Sequence, residues 1–181
     1  DDGNCLENDC AGECGGSAED CVRNVPSDEY STIQLALTAA YEGDTVLVAA
    51  GTYVENITWP ETNGIKLIGS GEDDCIIDGN QQGSVIRFEQ DLGGIIDSTT
   101  LITGFTIQNG NAQDYNYGGG MYLNRSSPTL MYVTFSGNTA QSGGGMNLNR
   151  SSPTLTYVTF SGNTADNYGG GMYLYISSIP T

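Results

Sequence analysis

Histidine is absent from this 181-residue chain, and Lys and Arg together supply only five positive charges. The first absence removes the side chain that most often shuttles protons or binds metals near neutral pH. The second, set against 22 acidic residues and a net charge of −17, excludes nucleic acid as a partner, because a phosphate backbone would be repelled. No run of 18 apolar residues occurs, so nothing in the sequence reads as a membrane-spanning helix. Extended helical periodicity is also missing, and 26 glycines are more than a helix bundle tolerates.

Cysteine is scarce and unevenly placed. Cys5, Cys10, Cys14 and Cys21 crowd into the first 21 residues, and Cys75 stands alone. The spacing is not that of a zinc site, which needs paired C-x-x-C or histidine partners. Two disulfides among the first four are expected, with three pairings open, and Cys75 is expected as a buried free thiol. Disulfides imply an oxidising compartment, so the protein is expected to be secreted or displayed at a cell surface. The chain opens on Asp1-Asp2-Gly3 without a basic, then apolar, leader, as a mature secreted chain would. Residues 1–26 form an acidic segment with little to bury, and Asp9-Cys10 through Asp20-Cys21 resembles the Cys-rich spacer repeats of secreted bacterial proteins. Asp1, Asp2, Asp9 and Asp20 are the carboxylates that calcium could use. They lack the D-x-[DN]-x-[DN]-G loop, so a solvated acidic surface is the first reading and no cofactor is expected.

From Ser31 to Gly43 the pattern of Ile33, Leu37, Ala40 and Tyr41 predicts one helix, with Ser31 as N-cap and Gly43 just past the C-terminus. Short β-type runs follow at 45–49, 65–68, 75–77, 84–88 and 101–107, separated by Gly, Asn and Asp turns.

The strongest signal is an internal repeat. Residues 118–142 align without a gap to 143–167 with 21 identities in 25, and a partial third copy occupies 169–181. Such a period means a solenoid. Leu155-x-x-Val158-x-Phe160-x-x-Asn163 satisfies the leucine-rich-repeat template, but the other half of the repeat, Gly143 to Pro153, carries no helical period. Three short strands and three turns per 25 residues fit one coil of a parallel β-helix, and residues 45–181 should wind about five to six of them. Identical residues would then stack in ladders. Leu123/Leu148, Val133/Val158 and Phe135/Phe160 are expected to point inward, and Tyr122, Asn147 and Tyr173 outward as a candidate ligand face. Asn138 and Asn163 fall in a Ser-Gly-Asn turn, either as an inward amide ladder or as left-handed turn residues. The triple glycines are expected to allow tight corners with positive φ.

Residues 30–37, with Gly43-Asp-Thr-Val-Leu-Val-Ala-Ala-Gly-Thr-Tyr-Val-Glu-Asn-Ile57, resemble the N-terminal cap and first coil of pectin-lyase-like β-helices. The pairing of Gly-Gly-Gly-Met at 118–121 and 143–146 with Phe-Ser-Gly-Asn at 135–138 and 160–163 is similar to the repeats of chlamydial-type polymorphic outer-membrane proteins. These resemblances, which cover residues 30–181, imply an all-β fold: a right-handed parallel β-helix at 27–181 with a capping helix at 31–43, preceded by the Cys-rich segment 1–26. They imply function only loosely, since the superfamily spans adhesins, lyases, hydrolases and structural solenoids.

The chemistry signals are thin. Gly71-Glu-Asp-Asp74 resembles the paired carboxylates of β-helical polygalacturonases, but the accompanying Asn-Thr-Asp, Gly-His-Gly and Arg-x-Lys segments are missing. A lyase would need a base, and Lys66 and Arg87 are the candidates, since Arg125 and Arg150 recur at one repeat position. The expectation is therefore a non-catalytic structural or adhesion protein without catalytic residues, and the alternative is a polysaccharide-binding protein or lyase. Surface glycans, a host or neighbouring cell, and other copies of the chain stacked end to end are the expected partners. The last of these follows from the third repeat stopping partway round its coil at Thr181.

Overall fold

A computed structural model describes residues 21–89, 96–113 and 118–181. The acidic segment with Cys5, Cys10 and Cys14 lies outside the described residues, as do Tyr115 and Tyr117. The chain winds into a parallel β-solenoid of about six turns, with all its named strands paired in parallel. The largest sheet runs through β1 (Val22–Val25), β2 (Thr45–Val48), β5 (Lys66–Gly69), β8 (Leu101–Gln108), β11 (Thr129–Ser136) and β14 (Thr154–Ser161). Strand β3 (Gly51–Val54) pairs β6 (Cys75–Asp78), which pairs the second half of β8. A second sheet stacks β4 (Ile57–Thr58), β7 (Ile86–Phe88), β10 (Met121–Asn124), β13 (Met146–Asn149) and β16 (Met172–Tyr175). The third is short: β9 (Asn111–Ala112), β12 (Thr139–Ser142) and β15 (Thr164–Tyr168).

The repeats stack in register. Leu123 pairs with Leu148, Val133 with Val158 and Phe135 with Phe160, and the two phenyl rings lie nearly parallel with centroids 5.1 Å apart. Met121, Leu123, Leu130, Val133 and Phe135 are fully buried, so the like-on-like columns form the core. One extra residue stands between the second copy and the third, absorbed as an irregularity that sets Ser142 against Tyr168.

One corner breaks the expected alternation. Inward residues in β11 run Leu130, Val133, Phe135, because Tyr132 between them has φ +51°, and Tyr157 one turn on has φ +53°. Gly104 fills the same corner one turn earlier at φ +77°. A single left-handed residue turns the chain from one flat face to the next. In the glycine triplets, by contrast, positive φ is confined to the first residue, Gly143 at +71° and Gly169 at +61°. The rest are glycine because main chain packs on main chain: a Cβ on Gly119 would sit 2.5 Å from the Gly144 carbonyl oxygen.

The helix is shorter than the sequence pattern suggests, spanning Ile33–Thr38. Thr32, not Ser31, is its N-cap and accepts from the Leu35 N–H at 3.2 Å, and the helix closes at Ala39 well before Gly43. Its first N–H groups are taken by a residue distant in sequence: the Glu55 carboxylate accepts from Ile33 at 2.9 Å and Gln34 at 3.0 Å. With that competing anchor, two turns suffice to bury Ile33, Ala36 and Leu37 in the core.

Candidate functional site

The turn asparagines form an inward ladder. Asn138 Nδ2 donates to the Ile107 carbonyl at 2.9 Å, and Asn163 Nδ2 makes the same bond one turn later to Phe135 at 2.9 Å. Gly137 and Gly162 supply the left-handed turn conformation instead, at φ +61° and +63°. A second ladder escaped the sequence reading. The Ser126 N–H donates to Ser151 Oγ at 3.1 Å, and the Ser151 N–H to Ser178 Oγ at 3.2 Å. The repeated Asn-Arg-Ser-Ser-Pro turn was its signal. Both ladders are structural, leaving function to the outside.

The expected ligand face needs correction. Tyr122, Asn147 and Tyr173 do stand in one column, continued downward by Arg87 and Thr58. However, Tyr122 is 8% exposed and Asn147 2%, so neither offers a surface to a large ligand. Residues of adjacent turns flank each of them in register, and the Asn147 amide turns back to donate to the Ser142 carbonyl at 3.3 Å. Only Tyr173 is half-exposed.

Aromatic surface lies elsewhere. Tyr168, Tyr173 and Tyr175 form a row of near-parallel rings with centroid separations of 5.4 and 6.2 Å, the outer two exposed. At the left-handed corner, the exposed rings of Tyr132 and Tyr157 stack 4.9 Å apart.

Toward the other end of the second sheet, the turns before β7 and after β9 enclose a cleft of about 410 Å³, lined by Gln81, Gln82, Gly83, Ser84, Arg87, Asn111, Ala112 and Gln113. Its frame is well tied. Gly83 and Asn111 exchange main-chain hydrogen bonds of 3.0 and 2.7 Å. Behind them, the Asp78 carboxylate accepts from Asn80 N–H at 2.8 Å, Gln108 Nε2 at 2.9 Å and Asn109 Nδ2 at 2.7 Å. Burial pushes the Asp78 carboxyl up, but these donors outweigh it and hold it below the usual carboxylate range. Arg87 donates to Thr58 Oγ1 at 3.4 Å and pairs with Glu89 at 3.3 Å.

The candidate catalytic groups are not brought together. Glu72, Asp73 and Asp74 occupy the turn before β6, where the Asp74 N–H closes on the Gly71 carbonyl at 3.1 Å, and none of them lines the cleft. Lys66 sits on β5 in the large sheet and Arg87 on β7 in the second. Among the described residues no group of three His, Cys, Asp or Glu side chains could hold a metal ion, and no helix is long and apolar enough to cross a membrane. The calcium candidates Asp1, Asp2, Asp9 and Asp20 lie outside the described residues. Cys75 is a buried free thiol that donates to the Ala49 carbonyl at 3.4 Å; burial raises its pKa, against opposing hydrogen bonds from Ser70.

No protein-family model matches the chain, and comparison with curated proteins finds no match. Among solved structures it is similar to the pectin methylesterase PemA from Erwinia chrysanthemi, with a TM-score of 0.49 and 13% sequence identity over 80% of this chain and 54% of that one. The chain thus spans about half the length of that protein.

Proposed function

We propose that this protein is a secreted or cell-surface β-helix, right-handed as its sequence resemblance implies, that binds glycans without transforming them and serves adhesion or surface structure. The observation that carries this reading is the row of Tyr168, Tyr173 and Tyr175 on the outer surface of a rigid solenoid. Aromatic rings pack against the C–H faces of sugars while their hydroxyls stay in water. The row belongs to the last turns alone, its counterparts one turn below being Ser142, Asn147 and Asn149, and the exposed Tyr132–Tyr157 stack adds a second aromatic patch on the same rod, which suits multivalent attachment. The separation of Glu72–Asp74, Lys66 and Arg87 onto different elements favours binding over cleavage. Disulfides among Cys5, Cys10, Cys14 and Cys21 would suit the extracellular setting.

The test is retention on immobilised plant and bacterial surface polysaccharides, with products analysed after incubation with polygalacturonate and calcium. Binding that weakens in Tyr168→Ala/Tyr175→Ala, with no unsaturated or hydrolysed product, is the expected result. Release of unsaturated oligogalacturonides would replace this reading with a lyase.

Self-association is a second reading, favoured by the edge at β14, β15 and β16. Val158 and Phe160 there are only half-buried, whereas Val133 and Phe135 one turn below are fully buried, and Leu174 is 45% exposed. Light scattering on the chain with and without an appended charged, proline-containing cap tests it. Identical monomers in both samples would remove it.

A further inference from the structure

Two polar atoms of residues lining the cleft, Ser84 Oγ and Asn111 Oδ1, are buried and have no hydrogen-bond partner among the described residues. Ser84 is 4% exposed, and its carbonyl is already committed to the Asn56 amide at 3.0 Å. The contrast with the rest of the solenoid is informative. Asn138 and Asn163 occupy equally tight turns and donate their amides to carbonyls of the turn below, while the Ser126 and Ser151 hydroxyls donate to the Asn124 and Asn149 carbonyls of their own turns. In the cleft Ser84 Oγ and Asn111 Oδ1 belong to residues that line an opening, and a rotation of either side chain would present the atom to it. Other buried atoms without partners among the described residues, Arg23 Nε, Trp59 Nε1, Glu72 Oε2 and the repeat amide oxygens Asn124 Oδ1 and Asn149 Oδ1, belong to residues that do not line the cleft, so what sets Ser84 and Asn111 apart is the opening beside them.

We propose that this cleft is a binding site for a neutral, hydroxyl-rich ligand, a saccharide unit that completes the hydrogen bonds of Ser84 and Asn111. The proposal rests on the glycan-binding reading above and adds to it a site and a class of sugar. The donor and acceptor inventory selects the ligand. An amide oxygen only accepts, so Asn111 Oδ1 demands a donor, which an ionised carboxylate, sulfate or phosphate group does not provide. A sugar hydroxyl both donates and accepts, and so can serve Asn111 Oδ1 and Ser84 Oγ alike. Gln81, Gln82 and Gln113 are exposed, with amides that can do both in turn. The cation among the lining residues, Arg87, already faces Glu89. A net charge of −17 adds a field that disfavours polyanions. The floor of the cleft is held by the Gly83–Asn111 bridge and by the Asp78 carboxylate behind it, so the frame of the site exists before a ligand arrives and only side chains need to turn. Its size lies within the usual range for small-ligand sites.

The experiment is calorimetry and amide chemical-shift mapping on the full chain with neutral cello-, manno- and galacto-oligosaccharides, and with oligogalacturonate as the acidic counterpart. At least one neutral series should bind and shift the Gly83, Ser84 and Asn111 amides, while oligogalacturonate binds at least about tenfold more weakly. Ser84→Ala and Gln113→Ala should each cost about tenfold in affinity, as loss of one hydrogen bond to the ligand does. Ser84→Ala should keep or raise the melting temperature, since it removes a hydroxyl that no protein atom satisfies. Preferred binding of oligogalacturonate, or unchanged affinity in both variants, would overturn the proposal. If the cleft variants bind normally while Tyr168→Ala/Tyr175→Ala does not, glycan binding stands and this site falls. No binding of any sugar sinks both.

Discussion

Asn163 Oδ1 accepts from both the main-chain N–H and the side-chain amide of Asn138, each at 3.0 Å. One oxygen of the upper turn thus satisfies two donors of the lower, and the lower asparagine is freed to serve the turn beneath it. Asn138 Oδ1 accepts the Gly110 N–H at 2.8 Å in that role. Asn138→Ala should therefore orphan several buried groups together and cost about 2–4 kcal/mol, since each unmade buried bond costs roughly 1–3 kcal/mol. Asn163→Ala should cost less, because Asn163 is only half-buried. Urea unfolding of the two variants measures the difference, and equal losses would mean that the ladder is not cumulative.

The phenylalanine column makes a parallel case for position along the axis. Phe135 is fully buried between turns, while its stacking partner Phe160 is only half-buried. Phe135→Ala should lose about 3–5 kcal/mol, as a filled core site does. Phe160→Ala should lose about half of that. A larger loss at Phe160 than at Phe135 would contradict the burial seen here.

Tyr132 separates backbone demand from side-chain preference. Valine suits an ordinary strand, but a β-branched residue at φ +51° is strained. Tyr132→Val should destabilise by about 1–2 kcal/mol beyond the loss of ring stacking, whereas Tyr132→Asn should tolerate the left-handed corner. Thermal melts rank the pair, and a valine variant as stable as the asparagine one would show the corner to be relaxed.

Asp78 links the cleft frame to pH. Its carboxyl is held below the usual range, so its contribution is fully present above the unfolded carboxylate pKa of about 4 and is lost as pH falls through the folded value. Asp78→Asn should remove part of the acid sensitivity below about pH 4. An unchanged acid-unfolding midpoint in that variant would mean that the loop is held by its main-chain bonds alone.

Thiol chemistry tests the cysteines together. Cys75 is buried and its pKa is raised, so the thiolate that alkylating reagents require is scarce at neutral pH. Folded protein without reductant should take up almost no label, and denatured protein one equivalent, at Cys75. Labelling of Cys5, Cys10, Cys14 or Cys21 in the denatured, unreduced chain would remove the expected disulfides.

The sequence alone determined the solenoid and its core. Near-identical residues at a fixed period can all bury their apolar side chains only by stacking one turn on the next, so Leu123 on Leu148 and Phe135 on Phe160 were legible before any coordinates. Tertiary structure decided what the period does not encode. Glu55 reaches the helix from another element, because a carboxylate at a helix N-terminus need not be near it in sequence. Tyr122 and Asn147 alternate with core residues and so read as outward, yet adjacent turns flank them and they are buried. The cleft arises where two turns outside the exact repeats, around Gln81–Ser84 and Asn111–Gln113, meet across nearly a full turn of the solenoid. Residues so far apart share no local pattern, and only the winding of the backbone places Ser84 and Asn111 on one wall.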